Sequence, residues 1–419
     1  MAKLMFLGVP AHGHVNPTLP VVAELARRGH QILYCNAPSF DQVISRSGAA
    51  LVAYPDASAS EAEFAKRAIN LAGVSVYLLQ ETVRLLPFTL DLLRREQPDL
   101  VLFDSLALWG MQATRLHPVA SVASITTLVQ EGVPGILHWR DYPHLIRQAL
   151  PHLPALQRLR KQLVKAYGAR IFPRQAIFPC TGDTNLVYTS REFQPATPFI
   201  DDTFHFVGPS ILEASRAETE FPWEALTPGR KKIYISLGTV YTGNTRFYRS
   251  VFDGLAGHPA QVILSIGRQT ALRDLGSVPD NFIVRPHVPQ LKLLQHVDVF
   301  VTHGGMNSVN EGLNYGVPLI VVPQQLEQAL NGRQVARQGA GIVLADTPPY
   351  GQIDAGALRR TVDRVLADSG YRIHAERLSR SFRDAGGYQR AADVITSRLG
   401  LDQEYHDESE ACVRRLGAG

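Results

Sequence analysis

The run Val299-Phe-Val-Thr-His303-Gly304-Gly305-Met306-Asn307-Ser308-Val309-Asn310-Glu311 joins an apolar strand, two glycines and a helix. Val299-Phe-Val301 is an apolar run, as a buried strand requires. Gly304 and Gly305 permit a tight turn and a close approach by a ligand. The N–H groups that open a helix have no internal partner, and the helix dipole adds positive potential at the same place. Such a turn attracts an anion. His303, Asn307 and Ser308 add side-chain donors beside it. Glu311 stands three residues past Ser308 on the same helix face, and its carboxylate can accept hydrogen bonds from a ribose diol. The ordinary alternative is a tight strand–helix turn with a capping serine. Donors and a carboxylate together at these offsets favour a diphosphate-binding turn over it.

On either side of this run the strand–helix rhythm repeats. Ile233–Leu237, Val262–Ile266, Phe282–Val284 and Leu319–Val322 read as further strands with helices between them. Before residue 210 the pattern is similar. Leu4–Val9 is a strand and Pro10–Asn16 a loop; Pro17 opens a helix to about Arg28, and Gly29 ends it. Gln31–Tyr34, Leu100–Phe103 and Val119–Ile125 are strands, with helical stretches at Ala62–Leu71 and Thr82–Arg95. Leu137–Tyr167 reads as irregular helices, an insertion suited to shaping a ligand pocket. Polar Glu213–Glu220, then Pro222, Pro228 and Gly229, mark a linker. The expected fold is α/β, with two doubly wound, Rossmann-like domains facing each other. Their boundaries are 1–212, a linker 213–231, and 232–401, whose last helix can pack back on the first domain; 402–419 is a polar, flexible tail. Ligands in such sheets bind at the carboxyl ends of the strands, which makes the cleft between the halves the expected site.

The totals narrow the class. At 419 residues, 45% hydrophobic and 19% charged, the chain can build ample core. A net charge of +4 without a dense run of Lys and Arg argues against nucleic-acid binding. Cys35, Cys180 and Cys412 are far apart and form no CxxC pair, which suits a reducing compartment without disulfides or zinc. The first residues lack the apolar core of a signal peptide, and no apolar run approaches the ~20 residues that span a bilayer. A cytoplasmic protein without stable membrane insertion is expected.

Val288-Pro289-Gln290, His303 to Ser308, Glu311, Gly316-Val317-Pro318, Pro323 and Glu327-Gln328 resemble the donor-binding signature of the family 1 UDP-glycosyltransferases, which include bacterial macrolide and flavonoid glycosyltransferases. Ala11-His12-Gly13-His14-Val15-Asn16-Pro17 is similar to that family's first loop, so the likeness covers both halves. It implies the GT-B fold, with acceptor on the N-terminal half and nucleotide sugar on the C-terminal half. It also implies roles. His287 and Val288 lie against the base, Gln290 and Glu311 hold the ribose, and His303, Gly305, Asn307, Ser308 and Thr239 serve the diphosphate. Glu327 and Gln328 meet the donor sugar. Two positions depart from the common pattern: many relatives carry Trp where His287 stands, and often Asp where Glu327 stands.

By the same resemblance His14 is the base that deprotonates the acceptor hydroxyl, since an alcohol is a poor nucleophile and imidazole titrates near neutral pH. His12 is the local competitor for that role and is better suited to shaping the loop. Asp104 matches the family's second catalytic residue and would orient the imidazole; its bland alternative is a strand-end or helix-cap aspartate. The implied reaction is transfer of a hexose, glucose foremost, from a UDP-sugar to a small apolar acceptor such as a macrolide, flavonoid or other polyphenol, with inversion. No cofactor and no metal are expected beyond the co-substrate, because the chain has neither DxD nor HExxH. A dTDP-deoxysugar donor is the first alternative and a non-catalytic nucleotide-binding module the second. A Rossmann dehydrogenase would need the GxGxxG that this chain lacks. Phe64, Val76, Tyr77, Phe88, Trp109 and Trp139 are candidates for an apolar acceptor pocket, each better suited individually to the core.

Overall fold

The structure is a computed structural model and describes residues 1–55, 70–131, 137–172, 178–216, 219–238, 241 and 243–400. Its first half is a seven-stranded parallel sheet. The strands are β1 (Lys3–Leu7), β2 (Gln31–Asn36), β3 (Ala50–Ala53), β4 (Leu100–Asp104), β5 (Ala120–Ile125), β6 (Thr184–Val187) and β7 (Phe204–Phe206), in the order β3-β2-β1-β4-β5-β6-β7. The second half is a six-stranded parallel sheet of β8 (Lys232–Ser236), β9 (Gln261–Ser265), β10 (Phe282–Arg285), β11 (Val299–Thr302), β12 (Leu319–Val321) and β13 (Gly341–Val343), in the order β10-β9-β8-β11-β12-β13. Both sheets therefore reverse direction once, between β1 and β4 and between β8 and β11. Connections leave that point in opposite directions, which opens a crevice at the carboxyl ends of those strands.

The strands are apolar on both faces because helices cover both. Leu4 and Phe6 of β1 enter one core and Met5 and Leu7 the other; Leu100 and Leu102 of β4 divide from Val101 and Phe103 in the same way. In the second sheet Ile233 and Ile235 divide from Tyr234, and Val299 and Val301 from Phe300. This is the period-2 alternation of a strand, here with no wet face.

Eight helices position the site and its surroundings: α1 (His12–Val15), α2 (Thr18–Arg27), α3 (Leu71–Glu96), α4 (Asp141–Ala149), α5 (Leu153–Tyr167), α6 (Met306–Asn314), α7 (Leu326–Arg337) and α8 (Gly387–Arg398). A 3₁₀ turn, Leu150–His152, joins α4 to α5. The chain crosses back at Gly386 and Gly387, both at positive φ, so that α8 packs on the first half. Ala391, Ala392, Val394 and Ile395 enter its core, and Asp393 pairs with Arg28 at 2.7 Å.

Some expectations change. Pro10–Asn16 is not wholly a loop: the Ala11 carbonyl accepts from the amides of His14 and Val15, winding the single turn of α1. The strands β3, β6, β7 and β13 stand beyond those expected from the sequence; β7, Phe204-His205-Phe206, has no apolar run. Of the helix expected at Ala62–Leu71, residues 62–69 lie outside the described residues, as do Cys412 and the tail 402–419. Cys35 and Cys180 are buried free thiols. Among the described residues no helix is long and apolar enough to cross a membrane.

Candidate active site

Both sheets deliver their chemistry at the point where strand order reverses. In the first half β1 runs into α1, which carries His14, and the neighbouring β4 ends on Asp104. His14 Nδ1 lies 2.9 Å from Asp104 Oδ2, although the residues are 90 apart in sequence. Asp104 is 1% exposed, and its other oxygen accepts from the Leu106 amide at 2.8 Å. A carboxylate oxygen accepts, so in this pair the imidazole proton sits on Nδ1. The hydroxyl oxygen of Thr126, just past β5, is 3.0 Å from the same Nδ1. Burial disfavours a charged His14, but the charge of Asp104, its hydrogen bond and the more distant Glu327 carboxylate outweigh that and raise the imidazole above its ordinary pKa.

In the second half β11 ends at Thr302, and the next three residues form the turn into α6. Gly304 has φ +88°, and a Cβ there would stand 2.5 Å from Val321 Cγ1 and 2.9 Å from the Gln328 carbonyl oxygen. Glycine is thus required for both conformation and space. A Cβ on Gly305 would meet His303 Nε2 at 2.5 Å, and one on Gly238 would meet His303 Cε1 at 2.6 Å, so the imidazole is wedged against two glycines. Burial pushes the His303 pKa down to about 4. The ring is neutral at physiological pH and offers a hydrogen bond rather than a charge. Its buried Nδ1 has no hydrogen-bond partner among the described residues. α6 begins with no side-chain cap and no acid in its first turn. Its opening N–H groups and dipole are therefore available to an anion.

The remaining expected residues divide. Glu311 is 5% exposed and both its oxygens are engaged at 2.6 Å, one by Arg216 Nη2 and the other by Gln290 Nε2. Gln290 in turn accepts from the Tyr234 hydroxyl at 2.9 Å. Asn307 reaches across the cleft, its Nδ2 donating to the Gly13 carbonyl at 3.0 Å, one residue from His14. Ser308 is half-buried on the first turn of α6. His287 is exposed and accepts from Arg268 Nε at 3.0 Å; burial first, and the Arg268 charge second, lower its pKa. Val288 packs partly buried against the second core. Thr239 lies outside the described residues.

Glu327 sits in the first turn of α7, facing His14 electrostatically; burial raises its pKa against the opposing pull of Asn331 and His14. Gln328 is buried beneath the glycine turn, and its side-chain oxygen accepts from the Gln324 amide at 2.8 Å. Trp109, Val76 and Tyr77 belong to the first core and Phe88 packs against it, whereas Trp139 is exposed and Phe64 lies outside the described residues.

Three residues of this site had no assigned role in the sequence. Thr126 follows a strand end but carries no motif. Arg216 reaches Glu311 from the linker, with no local signal to betray it. Asn331 was the most accessible: one helical turn past Glu327, it donates to Glu327 Oε1 at 2.7 Å and to the Gly304 carbonyl at 3.0 Å.

Comparison with known proteins places this chain among glycosyltransferases. Residues 249–384 match the family described as erythromycin biosynthesis protein CIII-like, C-terminal domain. Demethyllactenocin mycarosyltransferase of Streptomyces fradiae is 32% identical, the alignment covering 95% of this chain and 87% of that protein. The uncharacterized UDP-glucosyltransferase YdhE of Bacillus subtilis is 30% identical over 92% of this chain and 95% of its own length. Among solved structures, the glycotransferase of kitacinnamycin superposes with a TM-score of 0.79 at 28% identity, covering 95% of this chain and 99% of that one. The calicheamicin glycosyltransferase gives 0.76 at 27% identity, over 96% and 99%.

Proposed function

The chain belongs to the bacterial family 1 glycosyltransferases, and on that premise we propose that it moves a hexose, glucose foremost, from a UDP-sugar to a hydroxyl of a small apolar acceptor such as a macrolide, flavonoid or other polyphenol. The observation that carries this reading is the His14–Asp104 pair at one reversal point, set across the cleft from the uncapped helix start at the other. His14 Nε2 takes the proton from the acceptor hydroxyl as its oxygen bonds to the anomeric carbon. The bond from that carbon to the diphosphate oxygen breaks, and attack opposite the leaving group inverts the centre. Asp104 stabilises the imidazolium that forms. The α6 amides and the neutral His303 ring stabilise the departing diphosphate. Gln290 and Glu311 hold the ribose, and Glu327, oriented by Asn331, meets the sugar.

UDP-glucose as donor is supported by the name of the YdhE relative. The mycarosyltransferase name of the other relative supports a deoxysugar donor as the second reading. The test is a donor panel against mixed macrolide and polyphenol acceptors, read by mass spectrometry, with His14→Ala beside the wild type. The variant is expected to lose most transfer, on the order of 10²–10⁴-fold, while UDP binding survives. Turnover with dTDP-sugars alone would sink the UDP reading, and wild-type turnover by His14→Ala would remove the proposed base.

A further inference from the structure

Of the ten large hydrophobic side chains that stand exposed among the described residues, five fall between residues 139 and 153. Trp139 is 75% exposed, Tyr142 52%, Ile146 58%, Leu150 59% and Leu153 42%. They recur at intervals of three, four, four and three residues from the turn before α4 through α4 and the 3₁₀ turn to the start of α5. That interval describes one face of a helix. It is not the face that packs on the protein: Leu159 and Leu163 point the other way, buried in the first core that α3 shares. The outer stripe is thus a second apolar face, and a contiguous patch of this kind marks an interaction site.

Its border is cationic. Arg147, Arg158, Arg160, Lys161 and Lys165 are all exposed on the same two helices. The acid in those helices is Asp141, which is buried and engaged by Arg333. Nothing on α4 or α5 therefore neutralises the exposed cations. Trp, Tyr, Leu and Ile in a line, edged by Lys and Arg, form the pattern of a helix lying in the plane of an anionic lipid interface. The apolar side chains enter the boundary between headgroups and acyl chains while the cations meet lipid phosphates. Trp139 and Tyr142 at one end suit that boundary. We propose that the α4–α5 surface docks this enzyme peripherally on an anionic bilayer, the layer in which apolar acceptors concentrate. The ion pair from Asp141 to Arg333 of α7 ties this surface to the other half, so the cleft is held at the lipid as a unit. The inference stands whichever nucleotide sugar the enzyme uses.

The test is flotation of the full chain with vesicles of phosphatidylcholine and phosphatidylglycerol, against vesicles of phosphatidylcholine alone. The protein is expected to float with the anionic vesicles only, and to be released by raised salt. Tryptophan emission, to which exposed Trp139 contributes beside Trp109 and Trp223, should shift to the blue on binding. The pair Ile146→Glu with Leu150→Glu, and separately Arg158→Glu with Lys161→Glu, should each weaken binding about tenfold or more. Both pairs should keep the wild-type Tm, since these side chains are exposed. Failure to float, equal binding to neutral vesicles, or wild-type binding by both variants would overturn the proposal. So would sedimentation showing that the stripe instead joins two copies of the chain, dissociated by Leu150→Glu, with no vesicle binding.

Discussion

At His14 the competition is over one proton. Burial alone would hold the ring neutral, and the Asp104 charge at 2.9 Å reverses that balance and raises its pKa. A general base works only when neutral, so transfer should fall as pH drops through a value above the ordinary His pKa of about 6.5. Asp104→Asn keeps the burial and removes the charge. The acid limb of kcat/KM should move to lower pH in that variant, while kcat falls by about 10²-fold or more. An unmoved limb would show that Asp104 does not set the base. Asp104 was legible only through its likeness to known relatives, because an aspartate ending a strand carries no signal of its own. Thr126 and Arg216 were not legible as partners, since each is placed by packing of distant segments rather than by local pattern.

At the scale of elements, the β11–α6 turn shows how much one glycine can decide. Gly304→Ala would put a methyl group where Val321 and the Gln328 carbonyl already stand, in a left-handed conformation. The strain is worth about 1–3 kcal/mol, and relieving it must displace the helix start that faces the anion. Calorimetric titration with UDP should show binding weakened by more than tenfold, with Tm lowered. Wild-type affinity would mean that the turn does not cradle the diphosphate. This element was plain in the sequence because its strand, glycines and helix are contiguous. The edge strands β7 and β13 were not: β7 is Phe204-His205-Phe206, with no apolar run, and β13 opens on Gly341.

For the whole molecule, the two halves are joined by a buried ion pair as well as by the linker. Arg333, 5% exposed, meets Asp141 at 2.6 and 3.2 Å, and Asp346 holds its Nε at 2.8 Å. Asp141 also accepts from the His138 amide and the Tyr350 hydroxyl. Without Asp141, buried Arg333 would keep Asp346 at its Nε, so its charge would be compensated in part. Asp141→Ala should therefore destabilise the chain by at most about 3 kcal/mol in urea titration and raise hydrogen exchange in α4. Unchanged exchange there would show that the pair does not hold the halves together. The two doubly wound halves could be read from the repeating strand–helix rhythm, but this link joins residues 192 apart and exists only once the halves are packed.

The most direct test of the account is a crystal structure with UDP bound. The diphosphate is expected against the opening amides of α6 beside His303, with the ribose on Glu311 and the Nε2 of His14 facing the space beyond the terminal phosphate. UDP bound elsewhere, or an imidazole turned away from that space with the cleft closed, would contradict it.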